Sequence, residues 1–467
     1  MSNLKSVFFK PKGGWAGDFI PFYDDGKFYL FYLLDPRTQN GHRDGISWGV
    51  AVTENFIDVE DKGVVLINGS KDDQDLCAYT GSVIKALGKY HIFYTGHNPV
   101  FRDNGLPEQK IMHAISDDLI TWTKMPEHTF GAAKGYEIHD WRDPFVYWDE
   151  NDNQFHMLIV ARLTKGPKTR RGCTGHLISK DLITWELLEP IWAPNSYYAH
   201  ECPDLFKIGD WYYLLFSEFT DLNRTRYVMS KSINGPWVSP ENDVFDTRAY
   251  YAAKSWADGE KRYLFGWNPT RVDQSDLKPF HWGGNLVVHE LYTNDKNELA
   301  VREPKQIKKI MTSLLAKEKI QAVNLDCITG TKTSYLPNKI PNIARIETDF
   351  TFTKGSKNFG VLLKASEEDD TAYSLTFRPA EHRLDFQQFP QHSWLNFATK
   401  GLDRLINIAH DQKHHLTLII EDTMLTAYLD DFLAFTTRMY DLNATGFGFF
   451  VHHGNVSFEN IELFTSK

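Results

Sequence analysis

The sequence predicts an all-β protein in which a five-bladed β-propeller is followed by a β-sandwich. Helix signals are nearly absent, and short apolar-aromatic runs alternate with Gly, Asn, Asp and Pro residues, which is typical of strands and turns. A sequence unit recurs through the first part of the chain, and an alternation with period two replaces it later. With 467 residues, the chain exceeds the usual size of one hydrophobic core. We therefore expect a propeller at 1–305, a linker with a short helical turn at 306–320 and a sandwich at 321–467.

The clearest copies of the repeated unit are Ser116–Trp122 and Ser179–Trp185, which share the pattern Ser-x-Asp-Leu-Ile-Thr-Trp. Looser copies lie at 52–56 and 230–237. Each of five units also contains a strongly apolar strand, and these strands are Lys27–Tyr32, Lys89–Gly96, Gln154–Val160, Asp210–Ser217 and Lys261–Trp267. Four short strands per unit, repeated radially, are typical of a β-propeller.

The last part of the chain contains alternating strands separated by turns, which predict two packed sheets. The clearest are Ala344–Phe350, Tyr373–Phe377, Leu416–Ile420, Leu425–Leu429 and Phe447–Val451. This region has no constellation of acidic residues, so we expect it to support the propeller; glycan binding is the alternative.

Three acidic residues stand at the starts of units, beside aromatic residues and a proline. Asp18 opens the first unit, Asp143 the third and Glu201 the fourth. The innermost strands of a propeller line its central axis. We therefore expect the three carboxyl groups to converge in one axial pocket.

Paired carboxyl groups are the usual equipment for cleaving a glycosidic bond. One carboxylate attacks the anomeric carbon, while the other group protonates the leaving oxygen. Burial raises a carboxyl pKa, so a glutamate such as Glu201 could serve as a general acid near neutral pH. The spacing does not assign the roles, and the alternative for Glu201 is a strand-edge carboxylate paired with His200.

Composition is compatible with a small carbohydrate as the partner, although most of the aromatic rings are expected in the core. Aromatic residues make up 14% of the chain, which suits stacking on sugar rings, and the net charge of −10 disfavours nucleic acid and anionic membranes. Four scattered cysteines predict reduced thiols, and the first residues lack an apolar leader, so we expect a cytoplasmic protein. We expect no cofactor and no metal, and we interpret the acidic runs at 24–26 and 149–153 as turns. A homo-oligomer is left open.

The propeller half resembles glycoside hydrolase family 32, the family of β-fructofuranosidases, invertases, levanases and inulinases. The resemblance covers about residues 13–303, and the sandwich is similar in kind. Its anchors are Trp141-Arg142-Asp143-Pro144, which matches Arg-Asp-Pro, and Glu201-Cys202-Pro203, which matches Glu-Cys. Weaker matches lie at 48–49, 81–83, 93–96 and 282–284.

The resemblance implies that Asp18 is the nucleophile, Glu201 the acid/base and Asp143 the transition-state stabiliser that binds fructose hydroxyls. It implies a retaining mechanism, with the reacting carboxyl groups about 5–5.5 Å apart. Arg142 would fix Asp143 and the sugar, with a structural salt bridge as the alternative.

Further candidates for substrate binding surround these motifs. The tryptophans Trp15, Trp48, Trp141 and Trp267 could form pocket walls, with a core role as the alternative for each. Ser82 and Tyr94 could donate hydrogen bonds to sugar hydroxyls. His200 and Cys202 either tune the pKa of Glu201 or only pack.

The first motif departs from the family pattern. The family's Trp-Met-Asn-Asp-Pro-Asn-Gly is here Trp15-Ala16-Gly17-Asp18-Phe19-Ile20-Pro21, and the family's Tyr-Gln is here Tyr32-Leu33. Two polar contacts with the sugar are therefore missing, although the nucleophile is kept. The sequence leaves open which sugar the first subsite takes.

We expect a retaining hydrolase that releases fructose from sucrose, fructo-oligosaccharides or a related fructoside. Three alternatives stay open. They are a fructosyltransferase or difructose anhydride-forming enzyme, another furanosidase of the arabinan type, and a non-catalytic glycan-binding propeller.

Overall fold

The computed structural model describes residues 5–389 and 402–465, and strands make up most of it. The parts of the predicted domains at 1–4, 390–401 and 466–467 lie outside the described residues. The helices are short: α1 (Pro99–Asp103), α2 (Lys305–Leu314) and the 3-10 turns Gly41–Asp44, Pro126–His128, Val272–Gln274 and Pro379–Glu381.

The strands of the first half form consecutive antiparallel groups. The first group is β1 (Trp15–Asp24), β2 (Lys27–Asp35), β3 (Ser47–Thr53) and β4 (Val59–Leu66). The second is β5 (Cys77–Ala86), β6 (Lys89–His97), β7 (Gln109–Ser116) and β8 (Thr123–Lys124). The third is β9 (Tyr136–Asp149), β10 (Gln154–Leu163), β11 (Gly172–Ser179) and β12 (Glu186–Leu187). The remaining strands are β13 (Glu201–Ile208), β14 (Trp211–Glu218) and β15 (Arg224–Ser230), then β16 (Tyr251–Ala257), β17 (Arg262–Arg271), β18 (Phe280–Thr293) and β19 (Leu299–Arg302).

The first strands of these groups stand around a common axis. Strands β1, β5, β9, β13 and β16 each contact the next one, and β16 contacts β1, so the ring is closed. This arrangement confirms the predicted β-propeller. The count of five blades stays a prediction, because the pairing of Ala16 with Gly284 joins the first and last groups into one eight-stranded sheet.

The repeated heptapeptides form the turn that follows the third strand of a group. Ser116 Oγ accepts a hydrogen bond of 3.0 Å from Leu119 N, and Ser179 Oγ accepts one of 2.9 Å from Leu182 N. Both leucines are buried. The sequence repeat therefore reflects a repeated turn whose leucine anchors it in the core.

The second half is a sandwich of antiparallel strands in which β30 (Gly446–Thr465) pairs with four others. The other strands are β20 (Ala316–Ile320), β21 (Val323–Lys339), β22 (Ile343–Phe352), β23 (Asn358–Ser366), β24 (Thr371–Arg378), β25 (Arg383–Phe389), β26 (Leu402–Leu405), β27 (His414–Glu421), β28 (Met424–Leu429) and β29 (Leu433–Arg438). Their inward side chains form a separate apolar core. The predicted sandwich is confirmed.

The segment predicted as a linker at 306–320 is more regular than expected. Helix α2 buries Ile307 and Met311, which lie one turn apart, against the propeller core. Strand β20 then pairs with β30 as part of the sandwich sheet. The mixed Lys and apolar pattern of this segment is thus an amphipathic helix followed by an edge strand. The exact domain boundaries stay a prediction.

A buried polar network joins the two halves around Asp246. Its carboxylate accepts hydrogen bonds from Thr436 N at 2.6 Å and Thr436 Oγ1 at 2.5 Å, and it lies 3.0 Å from His289 Nε2. His289 Nδ1 lies 2.9 Å from the hydroxyl of Tyr428, and Arg404 donates to the Asp246 carbonyl at 2.8 Å. Because a buried polar group is costly without partners, this network fixes one docking geometry.

A buried ion pair also links the end of the propeller to the sandwich. Arg345 on β22 donates to Glu303 through Nε at 3.0 Å and through a terminal nitrogen at 2.7 Å. The Arg345 side chain is fully buried, and Glu347 is its second carboxylate partner at 2.5 Å.

We predict that Glu303→Ala lowers the free energy of unfolding by about 3 kcal/mol, because a buried guanidinium loses its bidentate partner. The matched control is Glu462→Ala, which removes the 2.6 Å pair with the half-exposed Lys317. This control should cost at most about 1 kcal/mol. Urea unfolding measures both variants, and equal losses would contradict a special role for the buried pair.

Candidate active site

A cavity of about 480 Å³ opens on the propeller axis, at the entrances of the innermost strands. Its volume is within the usual range of small-molecule sites. Acidic, aromatic and imidazole side chains line it together with two arginines. The residues are Asp18, Leu33, His42, Tyr79, Thr80, Arg102, Glu108, Gln109, His139, Asp140, Arg142, Asp143, Tyr198, Glu201, Cys202, Phe219, Tyr251, Ala252 and Trp282.

All five innermost strands carry a register irregularity at the same point. In each strand the register shifts after the first of two consecutive residues. These five pairs contain ten residues, and nine of them line the cavity. The pairs are Gly17-Asp18, Tyr79-Thr80, Arg142-Asp143, Glu201-Cys202 and Tyr251-Ala252. In a regular strand, consecutive side chains point to opposite faces, and a bulge removes this restriction.

The backbone at the second residue of these pairs is strained in four of the five strands. Asp18 has φ of 34°, Asp143 of 54°, Cys202 of 52° and Ala252 of 50°. Non-glycine residues rarely adopt positive φ, and such strain is concentrated at functional sites.

Asp18 is held by donors on both carboxylate oxygens. Trp267 Nε1 donates to Oδ1 at 3.0 Å, and the Thr80 hydroxyl donates to Oδ2. Burial raises the pKa of Asp18 to about 6, the two hydrogen bonds oppose this shift, and Asp143 and Glu201 add to it. Asp18 can therefore be a carboxylate at neutral pH and take a proton in mild acid.

Asp143 is positioned through the backbone. Its carboxylate accepts a hydrogen bond of 3.0 Å from Cys202 N, and its own N–H donates to Thr95 Oγ1 at 2.7 Å. Burial raises the pKa of Asp143, the Arg142 guanidinium opposes the shift, and the charge of Glu201 adds to it.

Glu201 has 23% of its side chain exposed, whereas Asp143 has 7%. One carboxylate oxygen accepts a hydrogen bond of 3.0 Å from Arg142, and the other accepts one of 2.7 Å from the Tyr251 hydroxyl. Arg142 also donates to Asp140 at 2.9 Å. Burial opposes the charge on Arg142, but Glu201, Asp143 and Asp140 together raise its pKa.

The structure thus brings Asp18, Asp143 and Glu201 into one cavity, as the sequence repeat predicts. Arg142 donates to Glu201 and lies 4.0 Å from Asp143. These contacts favour a role for Arg142 in the site over a purely structural salt bridge. Trp267 reaches Asp18 with its indole nitrogen and acts as a hydrogen-bond donor to the carboxylate.

Six residues that the sequence offers as substrate-binding candidates do not line the cavity: Trp15, Trp48, Trp141, Trp267, Ser82 and Tyr94. Trp48 is fully buried and donates to the Tyr79 carbonyl at 3.1 Å. Tyr94 donates to Asp75 at 2.9 Å, and Ser82 Oγ accepts from Val146 N at 2.9 Å. We correct the expectation for these three residues, because their polar groups are already satisfied within the protein core.

Trp15 lies outside the cavity lining as well. Its ring is covered by cations, with Lys10 Nζ at 3.8 Å and the Arg37 guanidinium at 4.7 Å from the ring centroid. Trp141 is fully buried, so the core alternative holds for it.

His200 and Cys202 differ in their relation to the site. His200 packs against Trp192 and Phe216, and burial lowers its pKa to about 3, so it is neutral. Cys202 lines the cavity, and burial raises the pKa of its thiol well above the usual range. The main contact of Cys202 with the acids is its backbone N–H, which binds Asp143.

Sequence reasoning did not assign Thr80, Tyr251 or Trp282 to the site, although 282–284 is one of the weaker family matches. The first two occupy the same bulge positions as the predicted acids, so an alignment of the five units would have found them. Trp282 comes from β18, and its ring covers Gly17. A Cβ added to Gly17 would lie 2.2 Å from Trp282 Cζ2.

One cluster outside the cavity has the side chains of a metal site. The turn between β9 and β10 places ligand atoms of Asp149, Asp152 and His156 within 4.8 Å of one another. Asp149 also accepts from Asn151 N at 2.9 Å, as in the hairpin turn that the sequence predicts. The cluster therefore already has a structural explanation.

In the part of the chain that the structure describes, no helix has the length and apolarity needed to cross a membrane.

Comparison with known sequences identifies both halves of the chain. The family described as Glycosyl hydrolases family 32 N-terminal domain matches residues 8–304, and its C-terminal counterpart matches 306–465. The levanbiose-producing levanase of Bacillus subtilis is 22% identical, over 95% of this chain and 87% of that protein. The sucrose-6-phosphate hydrolase of Escherichia coli is 27% identical, over 62% of each chain.

Solved structures share the whole fold. Fructan 1-exohydrolase IIa from Cichorium intybus has a TM-score of 0.76 at 16% identity, covering 100% of this chain and 97% of that one. Exo-inulinase from Aspergillus awamori has a TM-score of 0.74 at 16% identity, covering 98% and 97%. The predicted glycosidase is confirmed by the two family matches, and the chain belongs to glycosyl hydrolase family 32.

Proposed function

We propose that this protein is a retaining fructosidase that releases terminal fructose from a β-fructoside. Asp18 would attack the anomeric carbon, Glu201 would protonate the leaving oxygen and later deprotonate water, and Asp143 would bind sugar hydroxyls. The observation that carries the proposal is the convergence of these three carboxyl groups in one axial cavity. Levanase and sucrose-6-phosphate hydrolase among the relatives support a fructoside as the substrate.

The environments of the acids support different roles. Asp18 is enclosed by two donors that fix its orientation, as a nucleophile requires. Glu201 is partly exposed, so it can exchange a proton with a leaving oxygen and then with water. Because the four cysteines are free thiols, we also propose a cytoplasmic location.

We predict that Glu201→Gln lowers kcat for sucrose or kestose by on the order of 10²–10⁴-fold, because general acid catalysis is lost. Asp18→Asn should abolish turnover. Both changes keep side-chain volume, so the thermal midpoint should stay nearly constant. A fructose-release assay beside thermal unfolding measures both effects. Parallel losses of stability and activity would indicate structural acids instead.

We predict that the first fructose released is the β-anomer, as double displacement requires. NMR of the product in the first minutes detects this anomer before mutarotation. An α-anomer formed first would exclude Asp18 as the nucleophile.

Product analysis at high donor concentration separates hydrolysis from fructosyl transfer.

We predict that kcat/KM falls about tenfold per pH unit below about pH 6, because only the Asp18 carboxylate can attack. Trp267→Phe removes a hydrogen bond that lowers the Asp18 pKa, so the acidic limb should move to higher pH. The control is Trp122→Phe, which loses a bond of 3.1 Å to the Leu119 carbonyl away from the cavity. If both variants kept the wild-type limb, Asp18 would not be the titrating group.

A further inference from the structure

Two aromatic residues, Tyr198 and Phe219, line the same cavity as the three acids, and we call them the rim pair. Their ring centroids lie 5.5 Å apart at an interplanar angle of 45°. Phe219 keeps 39% of its surface exposed, which is unusual for a large apolar side chain in a binding pocket. An exposed aromatic face inside a sugar-binding cavity is available for stacking.

The strand register places the rim pair directly beside the proposed acid/base. Tyr198 precedes Glu201 by three residues, at the entrance of β13. Glu201 pairs with Ser217 on β14, and Phe219 lies two residues beyond Ser217, just after the strand ends. Both aromatic residues therefore lie just beyond the ends of β13 and β14. This is the outer side of Glu201, facing away from the strands.

A chain of contacts fixes the rim pair relative to Glu201. The Arg162 guanidinium lies 3.4 Å from the Tyr198 ring centroid and donates to the Tyr198 carbonyl at 2.7 Å. Arg162 Nε is 3.2 Å from Asp140, which accepts from Arg142, which in turn binds Glu201 at 3.0 Å. One face of Tyr198 is thus occupied by a cation, and the exposed surface of the pair belongs mainly to Phe219.

Several polar groups that line the cavity are already engaged with one another. Arg102 is 3.1 Å from Glu108, and His139 lies 4.0 Å from the same carboxylate. The rim pair is therefore an apolar patch beside polar groups that are engaged with one another. This contrast suits a sugar ring, which has an apolar C–H face and polar hydroxyl edges.

We propose that Phe219 is the stacking platform for the leaving sugar, and this inference rests on the proposed fructosidase function. The acid/base must lie beside the oxygen that joins fructose to the leaving group, so the leaving group occupies the outer side of Glu201. Phe219 occupies that side. It selects substrates in which a second, uncharged sugar ring is attached to the fructose, and Tyr198 holds it in place.

The test compares two substrates on Phe219→Ala. For 1-kestose, whose leaving group is a sugar, KM should rise roughly 3- to 10-fold with kcat nearly unchanged, since a stacking contact of this kind contributes uniform binding. For methyl β-fructofuranoside, whose leaving group has no ring, both constants should stay at the wild-type values. Phe219→Trp keeps an aromatic face and should restore the KM for 1-kestose.

The matched control is Phe280→Ala, because Phe280 is 36% exposed, packs on Arg271 and is not among the cavity-lining residues. It should leave both substrates unaffected. Equal effects of Phe219→Ala on the two substrates, or no effect on either, would overturn the platform while leaving the fructosidase intact. A wild-type enzyme that releases fructose from neither substrate would instead overturn the proposed function and the platform with it.

Discussion

The active site depends on a backbone constraint, the bulge at the entrance of every innermost strand. A regular strand can direct only alternate residues toward the axis, so five strands would supply five side chains at one level. The bulge allows two consecutive residues per strand to face the cavity. Because of the bulge, Arg142 and Asp143 both line the cavity, and so do Glu201 and Cys202. The strained φ values at these positions are tolerated because the closed ring of strands fixes the backbone around them.

Crowding three acids in a buried cavity is costly, and Arg142 offsets part of that cost. Its guanidinium binds Glu201 and Asp140 and lies 4.0 Å from Asp143, so one cation is shared by three carboxylates. Among the described residues no cation forms an ion pair with Asp18, and two neutral donors hold it instead. Chemically similar groups thus have different environments here, as in other enzymes that use two carboxyl groups in different roles.

The sequence was sufficient to predict the repeat and the three acids, because both leave local signals. Asp18, Asp143 and Glu201 stand at the starts of units, and each unit start becomes an innermost strand. Trp48, Ser82 and Tyr94 were misplaced because an aromatic or hydroxyl residue in a strand can face either the core or the cavity. The choice depends on register, and the bulges shift that register by one residue. The 282–284 stretch matched a weaker family signature, but the contact of Trp282 with Gly17 could not be predicted, since it comes from a strand far along the chain.

The contact between Trp282 and Gly17 accounts for the glycine in the first motif, where the family pattern has an asparagine. The Trp282 ring occupies the space that a side chain at position 17 would need, so a residue larger than glycine there is compatible only with a displaced tryptophan. Trp282 is itself held edge-on by His42, at 4.7 Å between ring centroids, and its carbonyl accepts from Arg37 at 3.1 Å. Gly17 and Trp282 therefore form a complementary pair, in which an aromatic wall lies beside Asp18 where the family pattern has a polar side chain. The Trp282 ring and the three axial carboxyl groups are positioned by the same ring of strands. The backbone of that ring therefore determines both the shape of the first subsite and the groups that line it.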